Sequence, residues 1–112
     1  MIDFDSFIID EMDATKEEIE PLYRIYLNEM EQMIDQLTSA SVDNDSDTYK
    51  RLLHNVKGIN ANMRIDILID PVTSMYTKLL DNDFLDLNVS IQKIIEIFSK
   101  VKIEINNYFE LE

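Results

Sequence analysis

Apolar residues return every three or four positions over most of this chain, the spacing that gathers side chains on one face of an α-helix. The cleanest stretch is C-terminal. Leu87, Ile91, Ile94, Phe98, Val101, Ile105 and Tyr108 alternate four- and three-residue steps, and Ile95 and Phe109 widen the stripe. A second long stripe joins Ile19, Leu22, Tyr23, Tyr26, Met30, Met33, Ile34 and Leu37. Thr15 followed by Glu18 predicts a capping box at its start, and Pro21, past the first turn, predicts a kink or a restart. Residues 39–48, SASVDNDSDT, form a polar connection in which Asp45 or Ser46 caps a third helix, and that helix turns Tyr49, Leu52, Val56, Ile59 and Met63 inward. A fourth helix over residues 66–81 uses Leu68, Val72, Met75, Tyr76 and Leu79, with Pro71 blurring its beginning. A short first helix over residues 3–12 gathers Phe4, Phe7, Ile8 and Met12.

No segment keeps a strand-like alternation for long, and one glycine and two prolines leave few breakers. The predicted fold is all-α: an antiparallel four-helix bundle with a short additional N-terminal helix as a lid over one end. One domain covers residues 1–110. Leu111 and Glu112 have the form of a dipeptide left by an expression vector ahead of a purification tag, and they carry no functional argument.

Charge narrows the partners. With 23 acidic and 10 basic side chains the net charge is -13, so the molecule repels phosphate backbones and anionic lipid surfaces; neither nucleic acid nor membrane is expected. Without cysteine there is no disulfide, thiolate nucleophile or cysteine-based zinc site. No apolar run is long enough to span a bilayer, and the N-terminus carries acids where a secretory signal carries bases, so a cytoplasmic location is expected; the domain is expected to act as a monomer. Asp43, Asp45 and Asp47 imitate the start of a calcium loop, but the glycine and glutamate that such a loop needs further on are Thr48 and His54 here. The stretch is a solvated turn, and no metal site is predicted.

The candidate chemistry lies in RLLHNVKGINANM, residues 51–63, which holds the only histidine and the only glycine of the chain. In helical projection Leu52, Val56, Ile59 and Met63 cluster within about 40° of the direction opposite His54, so the histidine points to solvent. Lys50, Arg51, Lys57, Gly58 and Ala61 share its side. Residues 50–64 contain Lys50, Arg51, Lys57 and Arg64 and no acid, where an even spread of acids would place about three. Gly58 costs about 1 kcal/mol relative to alanine in a helix interior, which asks for a reason such as the close approach of another surface. An exposed imidazole can attack a phosphoryl group, with a neighbouring lysine offsetting charge on the product. Phosphoryl transfer needs mainly positioning and electrostatics, both of which a docking partner can complete. The chain has no glycine-rich phosphate loop, so no intrinsic ATP binding or other cofactor is expected.

His54-Asn55-Val56-Lys57-Gly58, followed by Ala61, Asn62 and Met63, resembles the H-x-x-K-G signature of histidine-containing phosphotransfer (HPt) domains. The likeness in helix order extends over nearly the whole chain. It implies a phosphorelay carrier, phosphorylated on His54 and stabilised by Lys57, exchanging phosphoryl groups with a response-regulator receiver domain or a histidine kinase. The receiver would bring its aspartate and Mg²⁺ and dock over Lys50, Arg51, Leu53, Gly58 and Ala61. Arg64 stands where the family often has glycine and Asn60 where it often has a small residue. Tyr76 stands where chemotaxis-type kinases carry a supporting glutamate. Two other readings stay open: an excised N-terminal phosphotransfer domain of a chemotaxis-type kinase, and a helical adaptor without phosphoryl chemistry.

Overall fold

A computed structural model describes residues 2–43, 46–81, 83 and 87–111. Among them the regular structure is entirely helical. A π-helical N-terminal segment, Ser6–Glu11, is followed by α1 (Lys16–Asp43), α2 (Ser46–Asn62), a 3-10 turn (Asp66–Leu68), α3 (Ile69–Leu80) and α4 (Leu87–Phe109).

The capping box forms as predicted. The Glu18 N–H donates to Thr15 Oγ1 at 3.2 Å and the Thr15 N–H donates to Glu18 Oε1 at 3.1 Å, satisfying two otherwise orphaned donors. The predicted restart at Pro21 is absent, because α1 is one continuous helix. Pro21 lies in the second turn, so the one helical bond it cannot make is to the carbonyl of Glu17, an exposed residue. The polar connection is also shorter than expected. Lacking glycine and proline, residues 39–43 extend α1, and Ala40 adds a buried position beyond Leu37. Ser46 opens α2, while the alternative cap Asp45 lies outside the described residues. The predicted fourth helix divides into the 3-10 turn and α3, whose Pro71 sits in the first turn, where its missing N–H has no helical partner to lose.

α1 packs against α2 and α4, and α3 packs against the same two helices, so α2 has a neighbour on each side. That second neighbour corrects the predicted inward face. Tyr49, Leu52, Leu53, Val56 and Asn60 are buried, whereas Ile59 and Met63, expected as anchors, are only half-buried. Leu53, expected on an exposed docking rim, is 0% exposed, because α3 covers the flank of α2 that an isolated projection leaves open. Leu22 and Met12 depart the other way, at 43% and 47% exposed. Leu22 lies off the line from Ile19 through Tyr23, Tyr26 and Met30 to Leu37 that α1 actually buries. Met12 stands at the C-cap of the N-terminal segment, past its last turn. The α4 stripe holds through its middle, where Ile91, Ile94, Phe98, Val101, Ile105 and Phe109 are buried, while Leu87, Ile95 and Tyr108 are only half-buried.

The N-terminal segment closes the end where α1 begins and α4 finishes. Phe4 stacks on Tyr108 with ring centroids 4.4 Å apart and meets Tyr23 and Phe109 edge-on at 5.5 and 5.9 Å. The Ile2 N–H donates to Glu104 Oε1 at 3.2 Å, and Tyr108 Oη donates to Asp5 Oδ1 at 2.6 Å. This bond to the Asp5 carboxylate, helped by burial and by the charges of Asp5 and Glu17, pushes the Tyr108 hydroxyl pKa up to about 12. Burial raises the phenols of Tyr23 and Tyr26 further still. Leu111, which has the form of a linker residue in the sequence, packs against the core, its N–H bonded to the Asn106 carbonyl at 2.8 Å.

Candidate functional site

The rotation of α2 about its own axis decides what it offers to solvent, and a buried amide fixes that rotation. Tyr26 Oη donates to Asn60 Oδ1 at 2.6 Å, while Asn60 Nδ2 donates to the Val56 carbonyl at 2.8 Å and to Met30 Sδ at 3.4 Å. Both ends of the amide are therefore occupied, and Asn60 is 0% exposed. Asn60 thus ties α2 to two residues of α1, Tyr26 and Met30. With Leu52, Leu53, Val56 and Asn60 facing in, His54, Lys57, Gly58 and Ala61 are exposed on the other side. Arg51 is exposed and Lys50 half-buried.

Arg64 belongs to a different device. Its φ of 58° places it in the left-handed region directly after α2. The Ile65 N–H bonds back to the Asn60 carbonyl at 2.9 Å and the Arg64 N–H to the Ala61 carbonyl at 3.3 Å, the paired bonds of a Schellman motif. Glycine takes that conformation at least cost, which explains why a glycine suits the position. The Arg64 guanidinium reaches Glu11 Oε2 at 2.9 Å and fastens the end of α2 to the N-terminal segment. The basic strip beside His54 accordingly reduces to Lys50, Arg51 and Lys57. None of these three forms an ion pair among the described residues.

His54 stands on the crest of α2 between two depressions. On the α1 side lies an open groove whose walls include Glu29, Met33 and Gln36 of α1 and Asn55, Gly58 and Asn62 of α2. On the α3 side lies a small cavity of about 60 Å³ bounded by Leu53, His54, Lys57, Val72, Thr73 and Tyr76. Tyr76, noted in the sequence as a departure from the chemotaxis-kinase pattern, thus reaches the same cavity as His54 and Lys57. Nothing in the helix pattern around Thr73 marks it as a site residue. Only the packing of α3 on α2 brings it to the histidine.

Gly58 is the informative residue of the groove. A Cβ built there meets nothing within 4 Å, so packing inside this chain does not require glycine. Nor does its backbone, since it has no positive φ. The described residues that do adopt the left-handed region are Asp13, Arg64 and Glu110, none of them glycine.

The chain matches no protein-family model, no curated protein and no solved structure. Among the described residues, no group of three or more histidine or carboxylate side chains could hold a metal ion, and no helix is long and apolar enough to cross a membrane.

Proposed function

We propose that this chain is a histidine phosphotransfer domain, a monomeric cytoplasmic carrier that moves a phosphoryl group to or from the aspartate of a receiver domain through His54. In this reading the fold is an antiparallel four-helix bundle, supported by the circuit of neighbours α1–α2–α3–α4–α1 and by the short connection between α1 and α2. The observation that carries the reading is Gly58. The single glycine of the chain lies one turn from the single histidine, on the exposed face, where neither backbone conformation nor internal packing calls for it. Clearance for an approaching surface accounts for it.

The Nε2 lone pair of His54 attacks the phosphorus of an aspartyl phosphate. A nitrogen–phosphorus bond forms as the bond from phosphorus to the aspartyl oxygen breaks, and that electron pair leaves on the carboxylate. The reverse step returns the group. Lys57, one turn from His54, sets its ammonium beside the phosphoryl oxygens, and Lys50 and Arg51 steer an acidic receiver surface. Mg²⁺ and the acidic residues that bind it would come with the receiver.

The test is transfer from receiver domains charged with a small acyl phosphate. Wild-type protein is expected to acquire an acid-labile, base-stable label, and His54→Gln to acquire none while keeping its helical circular dichroism. Label that persists in His54→Gln, or none from a broad receiver panel, overturns the reading.

A further inference from the structure

The two sides of His54 differ in kind. The α1 side is an open groove, whereas the α3 side is the small cavity walled by the buried hydrocarbon of Leu53 and Val72 together with Thr73 and Tyr76. The Thr73 hydroxyl oxygen is sealed from solvent and has no hydrogen-bond partner among the described residues. Other hydroxyls on these helices behave differently. Thr38, Thr77 and Ser99 each donate to the carbonyl four residues back, at 2.9, 3.0 and 2.9 Å. Thr73 makes no such bond to its own helix, and the residue lines the same cavity as the imidazole, so its unpartnered hydroxyl is a natural acceptor for a ring N–H once the two side chains turn toward each other.

We propose that Thr73 is a positioning residue for His54: its hydroxyl oxygen accepts a hydrogen bond from the imidazole Nδ1–H, leaving the Nε2 lone pair directed toward the groove that Gly58 keeps open. The partner made by one ring nitrogen decides which nitrogen carries the proton. His54 is exposed, so its side chain is free to turn this edge toward the cavity. Leu53, Val72 and Tyr76 then shield the bond from bulk water. The purpose of the contact rests on the phosphotransfer reading. As Nε2 bonds to phosphorus and the aspartyl oxygen departs with its electron pair, the Nδ1 proton stays on the ring and positive charge develops there. The hydrogen bond to Thr73 therefore strengthens on the way to the transition state, which is the condition for it to speed transfer.

Because the chain has one histidine, ¹⁵N–¹H correlation of its imidazole reads the tautomer without ambiguity. Wild type and Thr73→Ser are expected to show a larger Nδ1–H fraction than Thr73→Val, which preserves side-chain shape while removing the acceptor. In receiver-transfer assays Thr73→Val should be slower by about fivefold to tenfold, the loss of one hydrogen bond, with Thr73→Ser near wild type. Identical tautomer populations in wild type and Thr73→Val overturn the proposal, whether or not the protein is phosphorylated. A tautomer shift in a protein that no receiver labels would instead uphold the contact and remove the phosphotransfer reading.

Discussion

At the scale of single residues, Gly58 and Arg64 show opposite uses of backbone freedom. Arg64 occupies a conformation that favours glycine, and Gly58 occupies one that favours alanine. With open space at its Cβ position, Gly58→Ala should stabilise the free protein by about 1 kcal/mol, the helix-propensity difference. In the proposed function the same methyl group should slow transfer from the receiver. Denaturant unfolding and transfer rates on one preparation would check both; a stabilised variant with unimpaired transfer would leave the clearance argument without support. His54, Lys57 and Gly58 could be placed on the outer face from sequence because helical projection alone puts them opposite Leu52 and Val56. Leu53 and Asn60 could not. Their burial depends on a second neighbour and on Tyr26, neither of which is visible within α2.

At the scale of elements, α4 and most of α1 were legible because their apolar steps persist for many turns. What misled was local chemistry. A polar stretch suggested a long connection, yet polarity without glycine or proline does not end a helix, and α1 extends to Asp43. The pairing of α1 with α2 carries its own prediction. Tyr26→Phe leaves Asn60 Oδ1 buried without its donor, so stability should fall by about 1–3 kcal/mol, the cost of an unsatisfied buried polar group. Thermal or denaturant unfolding would measure it. A loss well under that range would mean that Asn60 finds another partner and does not hold the register of α2.

At the scale of the whole molecule, the sequence implied an all-helical chain but could not say which helix neighbours which, since stripe periodicity carries no partner identity. The cavity at His54 was invisible for that reason. The N-terminal clasp brings a pH dependence with it. Tyr108 is neutral while it donates to Asp5, and its pKa is raised from 10.0 to about 12. The stabilisation it supplies is therefore complete below pH 10 and is lost as pH rises through about 12. The stability advantage of wild type over Tyr108→Phe should accordingly shrink across that window in alkaline unfolding; an advantage constant through pH 12 would exclude the Asp5 contact as its source. Because Phe4 lies on Tyr108 and Ile2 reaches Glu104, the described polypeptide traces a nearly closed circuit, with the N-terminal segment and the end of α4 meeting at one pole. Anything tethered to either of them starts from the same point.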